Sequence, residues 1–370
     1  MKIVAFYLPQ FHTIPENDAW WGNGFTEWVN VKSAQPLYSG HEQPKEPLDD
    51  NYYDLSDVST LEWQASLANK YGIYGMCFYH YWFPTKMLLQ KPAELLLAHK
   101  EIKMRFCFSW ANEPWTRSWD GKSHQILINQ DYGGLEEWRR HFNYLLPFFK
   151  DERYMKVDGK PMFVIYKSRC VPCAKEMMEC WLQMAQANGL PGIHFVNTLR
   201  ERGTDCRDLP FENYVEFEPA YTNHNRSSAY RAWHRVSRMA ARLSNRWLGT
   251  KRMLNKPVPF GEIAKLSLRS NLPKGTYGGV FVGWDNSPRR GLAGSVILPP
   301  TKEEFKLYLR DKIKLTQQDY HTDYVFVNAW NEWAEGTVLE PTKQHGYDYL
   351  EAISEVMDEM RENNSFGKEA

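Results

Sequence analysis

A chain of 370 residues, 43% hydrophobic and 24% charged, has the composition of an ordinary globular protein, which argues against general disorder, and its length suits one (β/α)8 barrel with long loops. A formal net charge of zero argues against whole-molecule attraction to nucleic acid and leaves only local patches for such contacts. No apolar run approaches the roughly 18 residues of a membrane span, and the start Met1-Lys-Ile-Val-Ala-Phe-Tyr-Leu-Pro lacks the apolar region of a signal peptide, so a cytoplasmic location is expected.

Short β-branched and aromatic runs alternate with amphipathic stretches, the pattern of a parallel sheet wrapped by helices. Strands are predicted at Ile3 to Leu8, Tyr74 to Tyr79, Met104 to Trp110, Met162 to Tyr166, His194 to Asn197, Tyr214 to Phe217, Gly279 to Val282 and Tyr324 to Asn328. Helices are predicted between them at Ser59 to Lys70, Lys91 to Lys100, Leu135 to Phe149, Ala174 to Ala187, Ser228 to Trp247 and Lys302 to Thr316, with a last one at Tyr347 to Arg361. Eight strands in this order predict a closed (β/α)8 TIM barrel over residues 1–361. The polar segment 362–370 reads as a flexible tail.

The active site of such a barrel forms at the C-terminal ends of its strands. The candidates there are Tyr7, Gln10 and His12 after the first strand, and Tyr79, His80, Tyr81 and Trp82 at the second. Trp110, Asn112, Glu113, Trp115 and Trp119 follow the third, Tyr166 the fourth, Glu216 and Glu218 the sixth, and Trp284 and Asn286 the seventh. Asn328, Trp330, Asn331, Glu332, Trp333 and Glu335 close the series. Fifteen Trp and 21 Tyr exceed what a core of this size needs. Such rings stack well on sugar rings. No Gly-rich phosphate cradle is present.

Cleaving a glycosidic bond requires a proton for the leaving oxygen and a second carboxylate acting as nucleophile or base. Glu332 and Glu335 in Asn-Glu-Trp-Ala-Glu supply two. Two anions so close cannot both ionise freely, which raises one toward the value a general acid requires. The bland reading is that one of them caps or salt-bridges the following helix. Glu113, in Ser-Trp-Ala-Asn-Glu-Pro-Trp, is a rival acid or a substrate ligand. His12 and His80 can orient hydroxyls or serve as satisfied structural histidines.

The ordered motifs Ala-Phe-Tyr-Leu-Pro-Gln-Phe-His near the start, Asn-Gly-Phe-Thr-Glu-Trp at 23–28, Phe-Tyr-His-Tyr-Trp-Phe at 78–83 and Trp-Ala-Asn-Glu-Pro-Trp-Thr-Arg at 110–117 resemble those of the WbsX-like proteins. Lys-Pro-Met-Phe-Val-Ile-Tyr at 160–166 and Asn-Glu-Trp-Ala-Glu-Gly-Thr at 331–337 complete the pattern. These proteins are often labelled glycosyltransferases of polysaccharide loci and are similar to glycoside hydrolase family 99, (β/α)8 endo-acting enzymes on α-mannosides. The resemblance implies a retaining reaction in which Glu332 deprotonates the sugar's own 2-hydroxyl, which attacks the anomeric carbon, while Glu335 protonates the leaving oxygen and then activates water. It implies an α-mannoside- or α-rhamnoside-like polysaccharide substrate, no cofactor and no metal. Sugar contacts are implied around His12, Trp82 and Glu113, and Trp28 of the 23–28 motif joins the candidates.

A transferase or transglycosylase of cell-surface polysaccharide synthesis is the alternative, although no Asp-x-Asp motif is present, and a non-catalytic carbohydrate-binding barrel is a third class. Cys170 and Cys173 have C-x-x-C spacing without a second pair, so free thiols are expected. Arg226 to Lys256 holds nine Lys or Arg and no acid. Arg231, Arg235, Arg238, Arg242 and Arg246 run at helical spacing beside an apolar stripe of Trp233, Val236, Ala240, Leu243 and Trp247. The plain expectation is an outer barrel helix with its stripe on the core. The sharper one is a helix that contacts anionic lipid at the inner face of a membrane.

Overall fold

The computed structural model describes residues 1–366 except 85, 118–121, 205 and 207, with the side chains of 122–124 and 363–366 also left aside; Trp119 and the end of the predicted tail lie outside the described residues. Eight parallel strands form the barrel: β1 Lys2–Tyr7, β2 Gly75–Phe83, β3 Phe106–Trp110, β4 Lys160–Ile165, β5 His194–Leu199, β6 Asn213–Glu216, β7 Thr276–Phe281 and β8 Tyr324–Asn328. Each pairs with its sequence neighbour. The ring closes because β1 also pairs with β8, with Val4 opposite both Phe326 and Gly75.

Strands covered on both faces read as unbroken apolar runs, which is why β1, β3 and β4 are so hydrophobic. Phe6, Phe217 and Phe326 pack inside the barrel at centroid distances of 5.1 and 5.5 Å from Phe6. A side chain at Gly279 of β7 would place its Cβ 2.0 Å from the Glu216 carbonyl oxygen, so only glycine permits this strand contact.

The outer layer comprises α1 Val58–Lys70, α2 Lys91–Ala98, α3 Leu135–Lys150, α4 Ala174–Ala187, α5 Ser228–Trp247, α6 Phe260–Ser267, α7 Lys302–Leu315 and α8 Asp348–Phe366. The last helix runs on past Arg361, where the sequence pattern fades. It buries Leu350, Ile353 and Val356. A ladder of ion pairs, Lys302–Glu351, Lys306–Glu355 and Arg310–Glu359 at 2.7–2.8 Å, lies along the seam with α7.

One expectation is overturned here. The stripe of α5 does not pack on the core: Trp233, Val236, Leu243 and Trp247 are 51–74% exposed, and the helix has no buried residue. The barrel position between β6 and β7 is taken by α6, whose Phe260 packs on Phe281 and Tyr308 at 5.1 and 5.5 Å. Being only eight residues long, α6 gives a weak periodic signal, whereas the exposed α5 gives a strong one.

Candidate active site

The C-terminal face opens into a cavity of about 560 Å³ lined by residues from most of the strand ends and following loops. Aromatic edges come from Tyr79, Tyr81, Trp115, Tyr166 and Trp284, and charge from Glu113, Glu332, Glu335, Arg200, Arg289 and Arg290.

Both paired glutamates enter from a single hairpin. Asn331–Glu332 pairs antiparallel with Thr337–Val338, and Trp333–Glu335 forms a single 3-10 turn between them. The turn ends at Gly336 with φ of 63°, and a Cβ there would lie 2.7 Å from the Asp285 Cβ, so both backbone conformation and close approach require glycine. Asp285, just after β7, receives Gln43 Nε2 at 2.6 Å and meets His41 Nε2 at 2.7 Å. Burial alone would raise its carboxyl, but the hydrogen bonds from His41, Gln43 and Ser287 lower it, keeping it ionised. Loops 1, 7 and 8 are thereby tied together beneath the glutamates.

Behind the hairpin, Asn331 accepts from the Leu8 N–H at 2.7 Å and donates to the Leu8 carbonyl at 3.0 Å, clamping it to the end of β1. Glu340 accepts from Tyr53, Gln64 and Trp333 at 2.7–2.8 Å, and Tyr7 donates to Gln64 at 2.7 Å. Burial raises Glu340 to about 7 despite those bonds.

Arg289 is the electrostatic centre. Its guanidinium lies 2.5 Å from Glu335, 2.6 Å from Glu27 and 3.6 Å from Glu332. Burial disfavours its charge, yet the three carboxylates raise its pKa. Glu332 is only 6% exposed, and among the described residues its Oε2 accepts no hydrogen bond. Burial, then the Glu335 charge, raises it to about 8, with Arg289 working in the other direction. Glu335 is also raised by burial. The two carboxyls titrate as a pair that holds a proton more tightly than a free carboxylate, and the guanidinium, closer to Glu335 than to Glu332, favours the charged form of Glu335.

The structure sorts the other candidates by strand alternation. Gln10, Tyr79, Glu113, Tyr166 and Trp284 line the cavity together with Glu332 and Glu335. Glu113 is engaged by Lys167 and lies 3.5 Å from Arg200, which stacks 4.4 Å over Tyr166. Along β2, Tyr79 and Tyr81 face inward, whereas His80 and Trp82 do not line the cavity: they point outward onto His141 of α3. Burial depresses His80 to about 3, so it stays neutral.

Tyr7 points to α1, Trp110 is buried with its indole N–H on the Trp82 carbonyl, and Asn112 bridges the Lys167 backbone at 2.8 Å in both directions. Trp28 donates to the Tyr53 carbonyl and packs 5.3 Å from Trp333, supporting the hairpin from behind. Asn331 serves the Leu8 clamp, and His12 is buried outside the lining, its proton affinity lowered by that burial. Glu216 faces outward, bonded to Lys312 of α7 at 2.7 Å and to Arg269. None of these lines the cavity. Arg289, Arg290 and Arg200 escaped the sequence reading, although Ser-Pro-Arg-Arg at 287–290 just beyond β7 was available as a signal.

Fold and site together define a (β/α)8 barrel with paired carboxylates in an aromatic-edged cavity at the C-terminal face. The chain belongs to the family described as glycosyltransferase WbsX, whose model matches residues 3–353. It is 35% identical over 358 residues to the uncharacterized protein WxcX of two strains of Xanthomonas campestris pv. campestris, covering 96% of this chain and 49% of theirs. The chain thus spans about half the length of those relatives. Among solved structures it is similar to a GH99 endo-alpha-mannosidase from Bacteroides thetaiotaomicron, with a TM-score of 0.55, 16% identity and 98% of each chain covered. A glycoside hydrolase-like protein superposes with a TM-score of 0.59 at 11% identity, over 96% of this chain and 93% of that one. These likenesses share the barrel fold. No helix among the described residues is long and apolar enough to cross a membrane.

Proposed function

We propose that the protein is a carbohydrate-active enzyme in which Glu332 and Glu335 act as an acid and base pair on a glycosidic bond of an α-mannoside- or α-rhamnoside-like residue. The observation that carries this reading is the hairpin after β8, which aims two carboxylates into one aromatic-edged cavity and perturbs both. Perturbed carboxylates in a cleft mark acid and base chemistry.

In the hydrolytic form Glu332 takes the proton of the sugar's 2-hydroxyl as that oxygen bonds to the anomeric carbon, and Glu335 gives its proton to the departing oxygen. Glu335 then deprotonates water, which attacks the anomeric carbon, and the 2-oxygen recovers its proton from Glu332. Configuration is retained. This division needs the proton on Glu335 when substrate is bound. Arg289 governs that shift: a substrate group that draws the guanidinium away from Glu335 raises the proton affinity of Glu335.

A transferase reading is favoured by a different observation. Arg200, Arg289 and Arg290 line the same cavity, and guanidinium groups suit the phosphates of an activated sugar donor. Incubating the protein with bacterial polysaccharides in one arm, and with nucleotide-sugar donors and glycan acceptors in the other, separates the readings by mass spectrometry. Free reducing ends identify hydrolysis; a lengthened acceptor with released nucleotide identifies transfer. Wild-type rates from the Glu332→Gln, Glu335→Gln double variant would sink both.

A further inference from the structure

The helix α5 is an excursion between β6 and α6 whose two ends are pinned beside the cavity mouth. At its start, His224 lines the cavity and meets the Arg200 carbonyl at 3.1 Å, and Arg226 pairs with Glu262 of α6. At its return, Asn255 donates to the Gly294 carbonyl at 2.8 Å, next to Ser295 of the cavity lining.

Successive helical residues turn by roughly 100°, which divides α5 into three sectors. Tyr230, Ser237, Ala241, Ser244 and Asn245 are half-buried and face the rest of the chain. Met239, Leu243, Val236, Trp247 and Trp233 fill a second sector, each more than half exposed. Arg231, Arg235, Arg242 and Arg246 are exposed in the third, with half-buried Arg238 at its margin, and among the described residues none of the five forms an ion pair with a carboxylate. The segment 226–256 carries nine basic residues and no acidic one within a chain of zero net charge.

A solvent-facing apolar sector of this size on a neutral protein calls for a partner that is both apolar and anionic. A nucleic acid would match the arginines and leave two tryptophans, a valine and a leucine in water. We propose that α5 docks the protein on the anionic headgroups of a phospholipid bilayer, with Trp233, Val236, Leu243 and Trp247 entering the headgroup and acyl boundary while the flanking arginines engage lipid phosphates. The docked helix places the cavity mouth close to the membrane surface, because both of its ends are held beside the cavity lining. The docking itself does not depend on which reaction the cavity performs.

The test is sedimentation with vesicles of phosphatidylglycerol and phosphatidylcholine against vesicles of phosphatidylcholine alone, at low and high salt. Wild type is expected to bind only the anionic vesicles and to bind more weakly as salt screens the charges. Each arginine near an anionic surface is worth about fivefold in affinity, so Arg235→Glu, Arg242→Glu and Arg246→Glu together weaken binding by at least ~100-fold. Val236→Ser, Leu243→Ser and Trp247→Ser together leave the charge intact and remove the binding that survives high salt. Since no α5 residue is buried, circular dichroism of both variants should retain the wild-type barrel signal. Absence of wild-type binding at low salt, or binding by both variants as strong as that of wild type, overturns the proposal. So does a concentration-dependent dimer that the apolar variant dissolves in the absence of any vesicle binding, because the helix face is then a contact between copies.

Discussion

Replacing Glu332 by Gln is expected to stabilise the protein, by an amount that grows with pH. In the unfolded chain this carboxyl titrates near 4.5; in the fold it is raised to about 8. A raised carboxyl favours the protonated folded state, so the folded protein binds more protons than the unfolded chain between those values, and stability falls as pH rises through that window. Below about pH 4.5 the residue contributes no such loss; above about pH 8 the loss is complete. At about 1.4 kcal/mol for each pH unit separating folded from unfolded titration, the full loss reaches about 5 kcal/mol. For a chain of this length that corresponds to ~6 °C in Tm. Thermal melts of wild type and Glu332→Gln from pH 5 to 9 are the assay: curves that nearly coincide at pH 5 and separate at pH 8, with the variant higher, are predicted. A variant equal to or less stable than wild type at pH 8, or a gap independent of pH, would refute the buried-carboxyl reasoning.

Arg289→Met leaves Glu27, Glu332 and Glu335 without their shared cation and should cost about 3–5 kcal/mol at pH 8, with a smaller loss at pH 5 where the carboxyls can take up protons; urea melts at the two pH values check it. Gly336→Ala forces a Cβ against Asp285 and into a left-handed backbone conformation, so about 1–3 kcal/mol of stability and most of the activity should go together, whereas Gly249→Ala, equally left-handed but with open space around its Cβ, should cost less in the same melts and spare the activity. If the pair works with one shared proton, kcat/KM falls above about pH 8, where that proton leaves; a profile flat to pH 10 contradicts it. Trp284→Ala removes an aromatic wall of the cavity and should raise KM by up to about tenfold with kcat nearly unchanged.

The barrel was legible because its strands are long apolar runs separated by strongly periodic helices; α4 and α5 begin and end at the residues the pattern indicates, and Glu332 and Glu335 stand where the end of an eighth strand would put them. Facing was much less legible. A strand buried on both sides does not reveal which parity looks inward, so Tyr79 and Tyr81 could not be told from His80 and Trp82 until α3 was seen to supply His141 as an outward partner. Tyr7, Trp28 and Asn331 come from the same motifs as the cavity residues, but their partners are Gln64, Tyr53 and Leu8. The position of Arg289 just beyond β7 was readable, but its role was not, because that role depends on three carboxylates from loops that are distant in sequence. The exposure of α5 was hidden for a related reason: an amphipathic period records an apolar face without saying what covers it.

The carboxylate pair is tested most directly by following α-manno- and α-rhamno-configured glycosides with good and poor leaving groups, using wild type, Glu332→Gln and Glu335→Gln. A departing group that needs no proton bypasses the general acid but not the base that activates the 2-hydroxyl. Wild type should release both kinds of leaving group, Glu335→Gln only the good one and as a first-turnover burst because the base for water is also missing, and Glu332→Gln neither. Wild-type release by both single variants would contradict the assignment of catalysis to this hairpin, and the opposite pattern between them would exchange the two roles.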